Sequence, residues 1–151
     1  MKGLKMKLLA LAGLLLALQV SAAPLMMVRS TQSFPEAMLS LQNAIKQQGY
    51  TVSRVQRVDI GLTSSGYQTD KYRVVFLGKT DELHALTAKY PELIPYLPWK
   101  IVIFAEGEET LLVTHDPENF TQFFPGDDLG KTFARWHKDL QAILEKVRAG
   151  E

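Results

Sequence analysis

Ser33–Val52, SFPEAMLSLQNAIKQQGYTV, is the stretch on which the fold turns. Phe34, Ala37, Met38, Leu41, Ala44 and Ile45 recur at intervals of three and four, which gathers them on one face of a helix, while Glu36, Gln42, Lys46 and Gln47 take the other. Ser33 followed three residues later by Glu36 has the form of a capping box, and Gly49 suits a left-handed stop. Tyr50, Thr51 and Val52 then open a strand. The unit is helix into strand, and its apolar face requires a partner surface. It contains no catalytic candidate.

Outward from this unit, the beginning of the chain reads as a leader. Lys2, Lys5 and Lys7 precede an apolar run of 11 residues from Leu8 to Leu18, too short to span a bilayer, and Val20-Ser21-Ala22 has the small-residue pattern of a cleavage site. Residues 1–22 are therefore expected to be a signal peptide. The remaining 23–151 form one domain, exported to a periplasm and free of the membrane once the signal is removed. Without the three leader lysines the balance is 14 basic residues against 16 acidic ones, a weak negative charge that argues against nucleic-acid binding. Arg54 and Arg57, the nearest approach to a basic pair, fall on opposite faces of a strand. The chain has no cysteine, which excludes disulfides, a thiol nucleophile, thiolate metal sites and covalently attached haem.

The rest of the chain alternates short apolar runs with helical patterns. Strands are predicted from Leu25 to about Thr31, over Val52–Ile60 with a break in alternation that signals a bulge or double burial, and over Tyr72–Leu77. Two more, Trp99–Phe104 and Thr110–Thr114, flank a hairpin turn at Gly107 and are read as central. Gly61–Gly66 reads as a turn. Thr80 and Asp81 are read as caps of a helix that buries Leu83, Leu86 and Tyr90, and Pro91, Pro95 and Pro98 impose a shaped connector carrying Leu93, Ile94, Tyr96 and Leu97 inward. Asp116-Pro117 is a helix-entry pair, and a long last helix is expected near 129–148. The order strand-helix-strand-strand-helix-strand-strand-helix predicts an α+β domain, a mainly antiparallel sheet with helices on one face.

The pieces SFPEAMLSLQNAIKQQGYTV, IGL at Ile60–Leu62, VVFLGK at Val74–Lys79, LPWKIVIF at Leu97–Phe104 and LLVTHDPENF at Leu111–Phe120 together resemble the domain of unknown function 302 family. The resemblance implies a compact α+β domain, often a homodimer, with no settled activity. Many members of that family carry Gly-Asn-Pro where this chain has Gly78-Lys79-Thr80, and some carry Cys in place of Trp99.

Three readings of function follow. The leading one is a non-catalytic binding or interaction module for a small apolar molecule or a protein partner. Its ligand site is expected in a concavity between sheet and helices, lined by Tyr96, Trp99, His115, Phe120, Phe123 and Phe124, with Tyr90 nearby. No cofactor is expected, and tight binding of zinc, copper or nickel is not expected either. The second is a metal-binding protein using His115 with nearby carboxylates, since a strand end is where side chains converge. Against it, His84, His115 and His137 stand 31 and 22 residues apart with no close ligand spacing, and Met26-Met27 is read as core filling. The third is a hydrolase with His115 as base, Asp116 as its orienting carboxylate and Ser64 or Ser65 as nucleophile. Leu129, Phe133, Trp136, Leu140, Ile143 and Val147 step by four and three in a heptad-like seam, which either packs on its own sheet or forms the interface of the expected homodimer.

Overall fold

The structure, a computed structural model, describes residues 25–150. The expected leader and its cleavage site lie outside them. Five strands form one antiparallel sheet: β1 (Leu25–Ser30), β2 (Thr51–Arg57), β3 (Tyr72–Gly78), β4 (Trp99–Glu106) and β5 (Glu109–His115), in spatial order β1-β5-β4-β3-β2. Four α-helices accompany them: α1 (Phe34–Gln47), α2 (Val58–Ser64), α3 (Thr80–Lys89) and α4 (Asp127–Ala149). Two 3-10 helices, Pro91–Tyr96 and Pro117–Gln122, lead into β4 and out of β5. The α+β architecture is the expected one, and no helix among the described residues is long and apolar enough to cross a membrane.

Alternation sorts the strands into two faces. Val75 and Leu77 of β3, Trp99, Ile101 and Ile103 of β4 and Leu112 of β5 are buried against Ala37, Leu41, Ala44 and Ile45 of α1 and the apolar edge of α4. That edge consists of Leu129, Phe133, Trp136, Leu140, Ile143, Leu144 and Val147, none more than 4% exposed. The heptad-like seam is therefore spent on the protein's own core. The sheet and α1 supply the covering surface that a helix of this period needs.

The opening helix behaves as its sequence dictates. The Glu36 carboxylate accepts the Ser33 backbone N–H at 3.0 Å and its hydroxyl at 2.7 Å, and Gly49 takes a left-handed φ of 78°. The β4–β5 hairpin turns through Gly107 at φ 63° with Glu106 opposite Glu109. Chain start and chain end are stitched together. The Ser30 hydroxyl and the Gln32 side-chain amide both donate to the Val147 carbonyl at 2.9 Å, and the Thr110 hydroxyl donates to the Gln32 carbonyl.

Four local expectations are corrected. The run Val52–Ile60 is not one strand: β2 ends at Arg57 after a register shift between Val52 and Arg54, and Val58–Ser64 winds into α2. Thr63, Ser64 and Ser65 hydroxyls bond back to carbonyls three or four residues earlier, and Asp59 pairs with Arg73 on β3, so the expected Gly61–Gly66 turn is mostly helix. At α3 the N-cap position belongs to Lys79, with Thr80 and Asp81 inside the first turn. In the proline-rich connector Leu93 is buried, but Ile94 and Tyr96 face out, because a 3-10 turn of three residues cannot hold a run of four on one side.

Candidate functional site

Where β4 begins and β5 ends, the two 3-10 helices converge and leave a cavity of ≈ 290 Å³ lined by Pro95, Tyr96, Trp99, Lys100, His115, Asp116, Asn119, Phe120 and Phe123. Strand alternation explains the mixture. Trp99 points to the helix layer and is buried, whereas Lys100 and His115, neighbours across the β4–β5 ladder, stand on the opposite face at the rim. Pro95 and Tyr96 line the wall on one side, and Asp116, Asn119 and Phe120 on the other. The Asp116 carboxylate accepts the Glu118 N–H at 2.9 Å, the capping arrangement expected of Asp-Pro, although the helix it opens is 3-10.

The wall is aromatic. Tyr96 meets Phe120 edge-on at 5.0 Å between centroids, Trp99 meets Phe120 at 5.5 Å and Trp136 at 5.2 Å, and Phe124 stands behind Tyr96 at 5.7 Å. These rings hold one another in T-shaped geometry, so the cavity is walled before any ligand arrives. The Trp99 indole N–H is buried and has no hydrogen-bond partner among the described residues, an arrangement that leaves a donor's desolvation cost uncompensated.

Five of the six expected ligand-site residues, Tyr96, Trp99, His115, Phe120 and Phe123, therefore line one cavity. Phe124 does not: it packs behind Tyr96 and against Phe133 at 6.3 Å. Tyr90 lies elsewhere, in a shallow depression with Pro125 and Leu129. Sequence reasoning missed Pro95, Lys100 and Asn119; their signal was adjacency to Tyr96, Trp99 and Phe120 at the strand and turn boundaries.

The histidines sort differently from the sequence reading. Asp116 pairs with His137 of α4, its Oδ1 lying 2.8 Å from Nδ1, and not with its chain neighbour His115. Asp116, Glu118 and His137 bring candidate metal-ligand atoms within 4.8 Å of one another, so the carboxylates collect around His137. His84 stands exposed on α3. Ser64 and Ser65 are not brought to His115. They follow the end of β2 where Arg57 pairs with Arg73, while His115 stands beside Leu25 and Lys100 at the other end of the sheet, and both hydroxyls are engaged by α2 carbonyls.

A second polar cluster joins α1, α3 and α4. Asp139 accepts from the Tyr50 hydroxyl at 2.7 Å and the Gln48 amide at 3.0 Å, with Lys79 at 3.7 Å and Arg135 at 3.4 Å. Arg135 also pairs with Glu82, which accepts the Trp136 indole N–H at 3.2 Å. Burial, followed by the bond to the Asp139 carboxylate, pushes the Tyr50 phenol well above the usual tyrosine range. With its Asp139 and Glu82 carboxylates already partnered, this cluster is a clamp between helices.

An antiparallel sheet with its helices on one side and an aromatic cavity at one end defines a small α+β domain. The chain belongs to the family described as "Domain of unknown function DUF302", whose model matches residues 26–147. It is similar in fold to the crystal structure of an uncharacterised conserved DUF302 protein from Bacillus stearothermophilus, with a TM-score of 0.76 and 20% identity, covering 84% of this chain and 100% of that one. Comparison with curated proteins gives no match.

Proposed function

We propose that this protein is an exported, non-catalytic binding module that holds a compact, largely apolar or aromatic molecule with one polar end in the cavity at the β4–β5 end of the sheet. The observation that carries this reading is the preformed ring wall of Tyr96, Trp99 and Phe120 with Lys100, His115 and Asn119 at its rim. An apolar wall supplies the binding free energy, and a few convergent polar groups fix orientation. The volume of ≈ 290 Å³ lies at the small end of ligand pockets, which favours a compact occupant. Export rests on the leader pattern of residues 1–22.

Native mass spectrometry of the protein purified from its own compartment tests both parts. The expected result is a chain starting near Ala23 with a bound small molecule that is depleted in Phe123→Ala, a change at the exposed lip of the cavity. A full-length mass would overturn export, and a bare wild-type mass would overturn the ligand.

The cluster of Asp116, Glu118 and His137 favours a second reading, a divalent transition-metal site of mixed oxygen and nitrogen donors. Binding to the native state raises its stability with metal excess. Zinc or nickel should then raise the melting temperature of the wild type and of His115→Ala, but not of His137→Ala; no rise in the wild type rejects it.

A further inference from the structure

The cavity at the β4–β5 end of the sheet is aromatic on its wall and carries its charge at the rim, in the side chains of Lys100 and Asp116. The two charges are not equally free. The Asp116 carboxylate is committed, with Oδ1 accepting the Glu118 N–H at 2.9 Å and lying 2.8 Å from His137 Nδ1. Lys100 is engaged through its backbone carbonyl, which accepts the Thr114 hydroxyl at 2.7 Å, while its exposed ammonium has no carboxylate or ring partner among the described residues. Other lysines beside rings in this fold are held on both counts. Lys79 lies over Tyr50 at 4.6 Å and beside Asp139, and Lys89 over Tyr90 at 5.0 Å and beside Asp128.

We infer that the cavity takes a small aromatic or cyclic monocarboxylate, with its ring on the wall of Tyr96, Trp99 and Phe120 and its carboxylate at Lys100 and His115. The inference rests on the reading of this cavity as a ligand site and gives the ligand's polar end its charge. In the register that sets Ile101 opposite Thr114, Lys100 and His115 face each other on one side of the sheet. Directly opposed residues hold their Cβ atoms about 5 Å apart, so the two side chains can close on the two oxygens of a single carboxylate. The ammonium then makes a charge-assisted bond and the imidazole N–H a second one.

Other polar ends fit less well. A cationic arm would set like charge against Lys100, and the carboxylate of Asp116 is already shared. A phosphate ester would bring up to about two negative charges to one ammonium, and no arginine lines the cavity to take the second. Size agrees with the class. An apolar cavity of about 150 Å³ holds benzene, so ≈ 290 Å³ holds one ring with a short acidic arm.

Calorimetric titration of the mature full chain at neutral pH with phenylacetate, phenylacetamide and phenethylamine tests this. Phenylacetate should bind about tenfold more tightly than the amide, and the amine more weakly than either. The acid's advantage should shrink as salt rises. Lys100→Gln should bring the acid down to the amide's affinity. Asp116→Asn keeps an oxygen for the Glu118 N–H and removes the negative charge at the rim, so it should tighten the acid severalfold. Equal affinity for all three probes, lost in Phe123→Ala, would leave the cavity a ligand site and overturn the acid class. Phenylacetate binding indifferent to Lys100→Gln would overturn the class as well. No binding of any probe would overturn the ligand site itself, and the inference with it.

Discussion

Replacing Trp136 by alanine removes one of the two core tryptophans, 1% exposed and set between Trp99 at 5.2 Å and Phe133 at 5.9 Å. Truncation of a buried tryptophan costs about 3 to 5 kcal/mol through lost transfer free energy and the cavity left behind. The upper half of that range applies here. Trp99 loses an edge contact and Phe133 a tilted one, and the Glu82 carboxylate loses the indole N–H at 3.2 Å while keeping Arg135. Total stability of a domain this size is about 5 to 15 kcal/mol, so a loss of about 4 kcal/mol leaves a marginal fold. With a urea slope of about 1.5 to 2 kcal/mol/M, the unfolding midpoint should fall by about 2 to 3 M. Far-ultraviolet circular dichroism is the proper signal, since the substitution removes one of the two tryptophans. Trp136→Phe should recover most of the loss, and Phe123→Ala, at a residue 72% exposed, should stay within about 0.5 kcal/mol of wild type. A midpoint shift below 0.5 M in Trp136→Ala, with a change of oligomeric state in its place, would refute the assignment of α4 to the core.

Alkaline titration offers another check. Because the folded-state pKa of Tyr50 lies above the unfolded value of about 10, the stability linked to its neutral phenol is complete below pH 10 and is lost as pH rises beyond it. Melting temperature should therefore fall more steeply above pH 10 in the wild type than in Tyr50→Phe; parallel slopes would reject the linkage. Gly78→Ala should destabilise by about 1 to 3 kcal/mol, since a Cβ there would stand 2.3 Å from Leu83 Cδ1 and force that side chain to turn. Adding Leu83→Ala should cost less in the Gly78→Ala background than alone, which a double-mutant cycle measures.

The helix of Ser33–Val52 was legible because period, cap and stop residues agree with one another, and the tertiary structure contradicts none of them. The break at Val52–Ile60 was legible as a break but not as a helix. The hydroxyl bonds of Thr63, Ser64 and Ser65 close α2 on itself, but the Asp59–Arg73 pair that holds it to β3 depends on a strand that follows in sequence. The cavity was legible as an excess of aromatics around two strand ends. Phe124 could not be told from Phe123 because both lie just past the short 3-10 helix Pro117–Gln122, where no period declares a face. The pairing of Asp116 with His137 spans 21 residues and two elements, and local spacing carries no trace of it.

The first strand finds its hydrogen-bonding neighbour only in β5, with Leu25 opposite His115 and Ser30 opposite Thr110, and its terminal serine reaches on to Val147, 117 residues away. Closing so long a loop is entropically slow, and nothing nearer in sequence substitutes for the missing ladder. On a ribosome delivering residues in order, β1 stays unpaired until β5 has emerged, and Ser30 waits for its α4 partner until the segment through Val147 has followed. The domain is thus completed after synthesis of that segment, not during it, and the growing chain remains threadable for most of its time at the tunnel exit.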